Sequence, residues 1–254
     1  MLVVACTPSH EEGLKFKRNG DFKAAIEVFE QQAKNGNLKS ILELIEWYQE
    51  SEPHKAFTWR QEAAKLGDAA SQSFIGWAHD GGDSIPDNAK QPKLAYSYYQ
   101  KSANQGDASG EFYLGYAYER GYGIEKNEEK AVEWYQKSAE QGELNALHFL
   151  GSAYYNGRLG LEVKHKTAVS YLCKANKAGN VKSAPLLKRM WVDEILIPAY
   201  NKALKYAEAP QGVKGAYAYP GQKESLMKDA RSKLSKLNQA KVAPDSQIIE
   251  KVCK

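Results

Sequence analysis

The chain has 254 residues, enough for one large domain or two small ones, and its hydrophobic share of 43% can fill a core, which excludes a disordered chain. No run approaches the roughly 18 apolar residues of a membrane-spanning helix. Lys and Arg number 35 against 31 Asp and Glu, and the resulting +4 is far below what neutralising a phosphate backbone demands, so no nucleic acid is expected as partner.

The chain opens on MLVVACTPSHEE. Val3, Val4 and Ala5 ahead of Cys6 match the bacterial lipobox, in which a peptidase cuts before a cysteine that carries the lipid, and Thr7-Pro8-Ser9 resembles the tether that follows. Only five residues precede Cys6, fewer than the charged and apolar regions of a signal peptide need. Residues 1–8 are read as a lipid-anchor stub. Thr7 is not the Asp that resembles an inner-membrane retention signal, so the expected location is periplasmic, on the outer membrane. A cytoplasmic chain with an apolar stub is the alternative.

Next come five stretches that each end in a polar turn with glycine: Gly36, Gly67, Gly106, Gly142 and Gly179. Eleven residues before each stands an alanine (Ala25, Ala56, Ala95, Ala131, Ala168), and eight before it a larger residue (Val28, Trp59, Tyr98, Trp134, Tyr171). Small then large at i and i+3 marks a packing stripe on one helix face. Twelve residues after four of the glycines lie Tyr48, His79, Tyr118 and Tyr154, each four beyond Leu44, Ile75, Leu114 or Leu150, which marks a second helix. Each unit is therefore helix A then helix B, closed by a glycine able to turn left-handed. The B helices are expected near 21–35, 53–66, 92–105, 127–141 and 165–178. Gly76, Gly115 and Gly151 should let neighbouring helices approach. One hairpin cannot bury both faces, so the units must stack, which predicts an all-α, right-handed α/α solenoid.

Residues 110–142, GEFYLGYAYERGYGIEKNEEKAVEWYQKSAEQG, closely resemble a Sel1-like repeat. Residues 71–106 and 146–179 are similar with departures, among them His79 in place of Tyr. Residues 40–67 carry Ile45 where Gly is usual, and 13–36 look closer to a tetratricopeptide unit. The resemblance spans about 9–190, the expected solenoid. It implies a non-enzymatic protein-interaction scaffold; in bacteria such proteins often act as adaptors in secretion or polysaccharide export.

Residues 191–254 are read as a helical cap, broken at Pro198. From residue 181 onward, 14 Lys and Arg stand against 7 Asp and Glu, which makes either a solvated face or a docking surface for acidic groups. Three cysteines divide into a lipidated Cys6 and a Cys173–Cys253 disulfide, or else Cys173 is simply a buried small residue and Cys253 a free terminus. His10, His54, His79, His148 and His165 fall in different units without ligand spacing, so neither metal nor cofactor is expected. Asp80, Asp83 and Asp87 lack the calcium-loop pattern. Ser225 and Lys228 form a Ser-x-x-Lys like that of penicillin-recognising enzymes but have no SDN or KTG companion. They are the only handle for the alternative of a cell-wall or β-lactam-acting enzyme; a cytoplasmic signalling adaptor is the other.

Solenoids of this kind bind along the concave A-helix face. Positions six, ten and thirteen after each glycine share one side of helix A: Leu42, Glu46 and Gln49; Ser73, Trp77 and Asp80; Phe112, Tyr116 and Glu119; His148, Ser152 and Tyr155. Ser73, Trp77, Phe112, Tyr116, Glu119, His148, Ser152 and Tyr155 are the expected contacts for a peptide or protein, with aromatics as anchors. The chain is expected to be a monomer.

Overall fold

The computed structural model describes residues 8–82 and 90–191 and, beyond them, Lys228, Ser232, Ser235 and Cys253 singly. The described residues are helical, without a strand among them. In chain order the helices are α1 (His10–Arg18), α2 (Phe22–Lys34), α3 (Leu38–Ser51), α4 (Pro53–Lys65), α5 (Ala69–His79), α6 (Pro92–Ala103), α7 (Ala108–Arg120), α8 (Glu128–Glu140), α9 (Leu144–Asn156), α10 (His165–Lys177) and α11 (Ser183–Trp191). The even-numbered helices α2 to α10 are the five expected B helices, within two residues at each end. α11 is the beginning of a sixth A helix, and Leu187 in it is fully buried.

Local chemistry sets these boundaries. Asp21, Asn37, Asp68, Asp107 and Asn127 each cap a helix, their side chains accepting the backbone N–H of the residue three further on. Pro53 and Pro92 start α4 and α6, where the missing N–H costs nothing. The five closing glycines all have φ between 79° and 102°. At Gly106 a Cβ would meet nothing within 4 Å, so the left-handed backbone alone demands glycine there.

Met1–Glu143 and Leu144–Lys254 form two compact units. In the first, each helix from α1 to α7 packs on its successor, and the A helices α5 and α7 also pack on each other. In the second, α9 packs on α10 and α10 on α11. The alanine column is a packing column: Ala95, Ala131 and Ala168 are fully buried, Ala25 and Ala56 nearly so. The expected close approaches are present too. A Cβ on Gly76 would lie 2.6 Å from Tyr99 Cε1, one on Gly115 2.9 Å from Tyr135 Cδ1, and one on Gly151 2.6 Å from Leu172 Cγ.

Those contacts define a second column on the B helices. The residue that fills the gap between A and B is seven before the closing glycine, not eight: Phe29, Tyr99, Tyr135 and Leu172, all buried, whereas Trp59, Tyr98, Trp134 and Tyr171 are half-exposed. Each faces an A-helix glycine, the first pair being Phe29 and Gly13. The α3–α4 pair departs from this: Ile45 stands in place of the glycine and Arg60 in place of the large apolar residue.

Candidate functional site: an aromatic cleft between A helices

In the first unit a cleft of about 250 Å³ opens between α5 and α7, lined by Arg60, Ala70, Ser73, Phe74, Trp77, Ser109 and Tyr113. Ala70, Ser73, Phe74 and Trp77 form one face of α5 at helical spacing, Ser109 and Tyr113 one face of α7, and Arg60 reaches in from α4. Phe74 and Trp77 are neighbours, with ring centroids 5.5 Å apart. Trp77 rests one side on Gly82, where a Cβ would come within 2.6 Å of its ring, and remains half-exposed. Tyr113 stacks on the buried Tyr99 at 5.0 Å and 12°. The Arg60 guanidinium lies over the Phe74 ring, 4.1 Å from its centroid. Burial holds this cation below the usual arginine range, with Asp68 acting against the shift.

The cleft shares Ser73 and Trp77 with the expected contacts and takes its other lining residues from neighbouring positions. It is lined from positions three, seven and ten after the glycine, with position six contributing only through Ser73. Ser73 is itself buried and turns its hydroxyl to the Ala70 carbonyl at 2.9 Å. Phe112 does not line the cleft; it is 8% exposed and packs on Tyr113 and Tyr135, at 5.2 and 5.5 Å between centroids. Glu119 is buried too and accepts the Tyr135 hydroxyl at 2.8 Å. Position thirteen on α7 therefore belongs to the A–B interface, because the helix is buried on more than one side. Tyr116, at the register of Trp77, is half-exposed, with the Arg120 guanidinium 5.9 Å from its centroid. Tyr113, which lines the cleft and was not among the expected contacts, stands at the same offset from its preceding glycine as Phe74.

The remaining candidates lie on α9 in the second unit. His148 is half-buried, its Nδ1 3.0 Å from the Ser183 hydroxyl, and burial together with Lys182 holds it below the ordinary imidazole range. Ser152 is half-exposed and receives the Asn156 side chain through its carbonyl at 2.8 Å. Tyr155 sits 5.6 Å from His165 and under the Arg189 guanidinium. The structure brings Cys173 and Cys253 together as a disulfide, 5.6 Å between Cα atoms, on the buried cluster of Leu172, Leu187 and Met190.

Cys6, Asp83, Asp87 and Ser225 lie outside the described residues, and Lys228 is described only as an exposed helical residue. Among the described residues no three His, Cys, Asp or Glu are grouped to hold a metal ion. His10 and His79 serve packing: His10 contacts the Ser40 hydroxyl at 2.9 Å, and His79 stacks on Tyr98.

Among solved structures, a Sel1 repeat protein from Oxalobacter formigenes matches with a TM-score of 0.63 at 19% identity, over 90% of this chain and 88% of that one. The protective antigen c5321, present in uropathogenic Escherichia coli strains and displaying an SLR fold, matches with a TM-score of 0.58 at 23% identity, over 81% of this chain and 48% of its own. At such identities the likeness is one of fold. No curated protein matches the chain. Sel1 repeats match at residues 47–68, which hold the end of α3 and α4, and at 69–107, 108–143 and 144–180, which hold the pairs α5–α6, α7–α8 and α9–α10; together they are more than half of the length, and the chain belongs to the Sel1 repeat family.

Proposed function

We propose that this chain is a non-enzymatic adaptor that holds a segment of a protein partner in the cleft between α5 and α7, and that a lipid on Cys6 keeps it on the periplasmic side of the outer membrane, in an envelope complex of the secretion or polysaccharide-export type. Sel1 repeats are in general protein–protein interaction scaffolds. The observation that carries the reading is the pair of half-exposed rings, Trp77 and Tyr113, held apart by packed neighbours so that a cleft stays open between them. Aromatic side chains immobilised in this way lose little entropy on binding and are the commonest hot spots of interfaces.

The test pairs stability with binding. Trp77→Ala and Tyr113→Ala should each weaken capture of a partner from envelope extract by roughly 2 kcal/mol at the better site, while correctly folded protein is retained. A Trp77→Ala protein that unfolds readily yet binds normally when folded would return the ring to packing, where such a truncation costs about 3–5 kcal/mol. The anchor is tested separately: the protein expressed behind its native upstream sequence should take up labelled fatty acid and partition with membranes, and Cys6→Ser should abolish both.

A further inference from the structure

Resting on that reading of the cleft, we propose that its occupant is the C-terminal residue of a protein or peptide, with the terminal carboxylate on Arg60 and an apolar last side chain against Phe74, Trp77 and Tyr113.

The repeat is broken at one helix pair. In four helix pairs the position of Arg60 is filled by Phe29, Tyr99, Tyr135 or Leu172, each buried against a glycine. In the α3–α4 pair Ile45 already supplies that bulk, and the B-helix position carries instead a guanidinium that emerges at the wall of the cleft. A lysine or glutamate would have satisfied a solvated face. Arg60 is half-exposed and stacks on Phe74, and the nearby Asp68 carboxylate is engaged in capping α5 through the Ser71 amide. Five N–H donors in a fixed plane, partly withdrawn from water, are a cost in the free protein. A carboxylate meeting that plane in a two-pronged fashion removes it.

The size of the cleft selects the source of the carboxylate. About 250 Å³ is below the span of ordinary small-molecule pockets, roughly 300–1,000 Å³, and has room for about one large residue. A chain terminus presents carboxylate and side chain from the same Cα, and so can reach Arg60 and the rings together. An internal Glu would have to bring a second residue to supply the apolar part. The Ser109 side chain, on the opposite wall, adds a hydroxyl for the terminal amide or carboxylate.

The experiment uses full-length protein and fluorescent hexapeptide pools, randomised except at the last residue, each made as free acid and as amide. A further set of amidated pools carries an internal Glu beside Phe. Free acids ending in Leu, Ile, Phe or Met should bind about tenfold or more tightly than their amides, since a hydrogen-bonded charge is lost. Arg60→Gln should erase that acid preference while far-ultraviolet circular dichroism stays unchanged, and Arg60→Lys should keep a reduced preference. Trp77→Ala should weaken the acids without removing their advantage over amides. Acids and amides binding alike, or internal-Glu pools binding as well as acids, would overturn the carboxylate assignment and leave the groove standing. If no pool binds and Trp77→Ala captures partner normally, both readings fall.

Discussion

Glycine serves two unlike purposes in this chain, and substitution separates them. Gly106 has φ +79 and open space where a Cβ would be, so Ala there should cost only the backbone term, about 1–2 kcal/mol, and Asn should recover much of it. Gly115 faces Tyr135 and the Ala131 carbonyl at 2.9 and 3.1 Å, so Ala should cost about 1–3 kcal/mol and Asn more, the reverse order. Urea midpoints of the four variants check it. Ala131→Leu, at a fully buried position in the same contact, should likewise lower the unfolding free energy by roughly 1–3 kcal/mol. The two buried tyrosines differ as well. The Tyr99 hydroxyl is buried with no partner, so Tyr99→Phe should leave stability unchanged or raise it. Tyr135→Phe removes the donor to the buried Glu119 and should cost about 1–3 kcal/mol. The alanines were legible because small residues recur at an invariant offset. The column that includes Arg60 was as regular in spacing but mixed in chemistry, and it becomes visible only when paired with the glycines opposite.

At the level of helices, the start of each A helix in the middle of the chain is fixed from two directions. Asp107 caps α7, accepting the Gly110 amide at 2.7 Å, and the Ser102 hydroxyl on α6 stands 3.0 Å from the same carboxylate while donating to the Ala69 carbonyl of α5. Ser138 repeats the arrangement one unit on, donating to the Ala108 carbonyl at 2.7 Å. These serines, four before the closing glycine, tie a B helix to the first residue of the preceding A helix. Asp107→Ala should therefore cost more than Asn127→Ala, whose cap contacts only its own helix: up to about 2 kcal/mol against about 1. Thermal melts of the two variants decide it. Helix boundaries were readable because caps, prolines and left-handed glycines are local signals. The groove register was not, since the exposed side of a helix depends on how many neighbours it has. α7 packs on α5, α6 and α8, which buries Phe112 and Glu119 and turns Tyr113 to the cleft.

For the molecule as a whole, two kinds of linkage can be read from burial and connectivity. His148 is held below its ordinary value of 6.5 by burial and Lys182, so the unfolded chain takes up a proton that the native state resists. Its neutral form thus contributes stability that is full above about pH 6.5 and is lost as pH falls below it, and wild type should lose more stability on acidification than His148→Gln. A difference between the two that does not vary with pH would mean that the Ser183 contact persists with the ring charged. The second linkage is the disulfide. Cys173 lies in α10 and Cys253 is 80 residues later, so the bond closes a long loop of chain and restricts the unfolded state far more than a short bridge would. Loop entropy gives roughly 4–5 kcal/mol for such a span, and strain or residual structure lowers what is realised to about 2–5. Cys173→Ser should accordingly lower the unfolding free energy of the second unit by that amount in oxidising buffer and by almost nothing in reducing buffer. Because such bonds persist in the periplasm and not in the reducing cytoplasm, the same bond bears on location. Protein recovered from its native compartment and digested without reduction should yield the Cys173–Cys253 peptide pair if it resides in the envelope. Two free thiols at these positions would instead favour the cytoplasmic alternative and leave Cys6 without the compartment that its lipid requires.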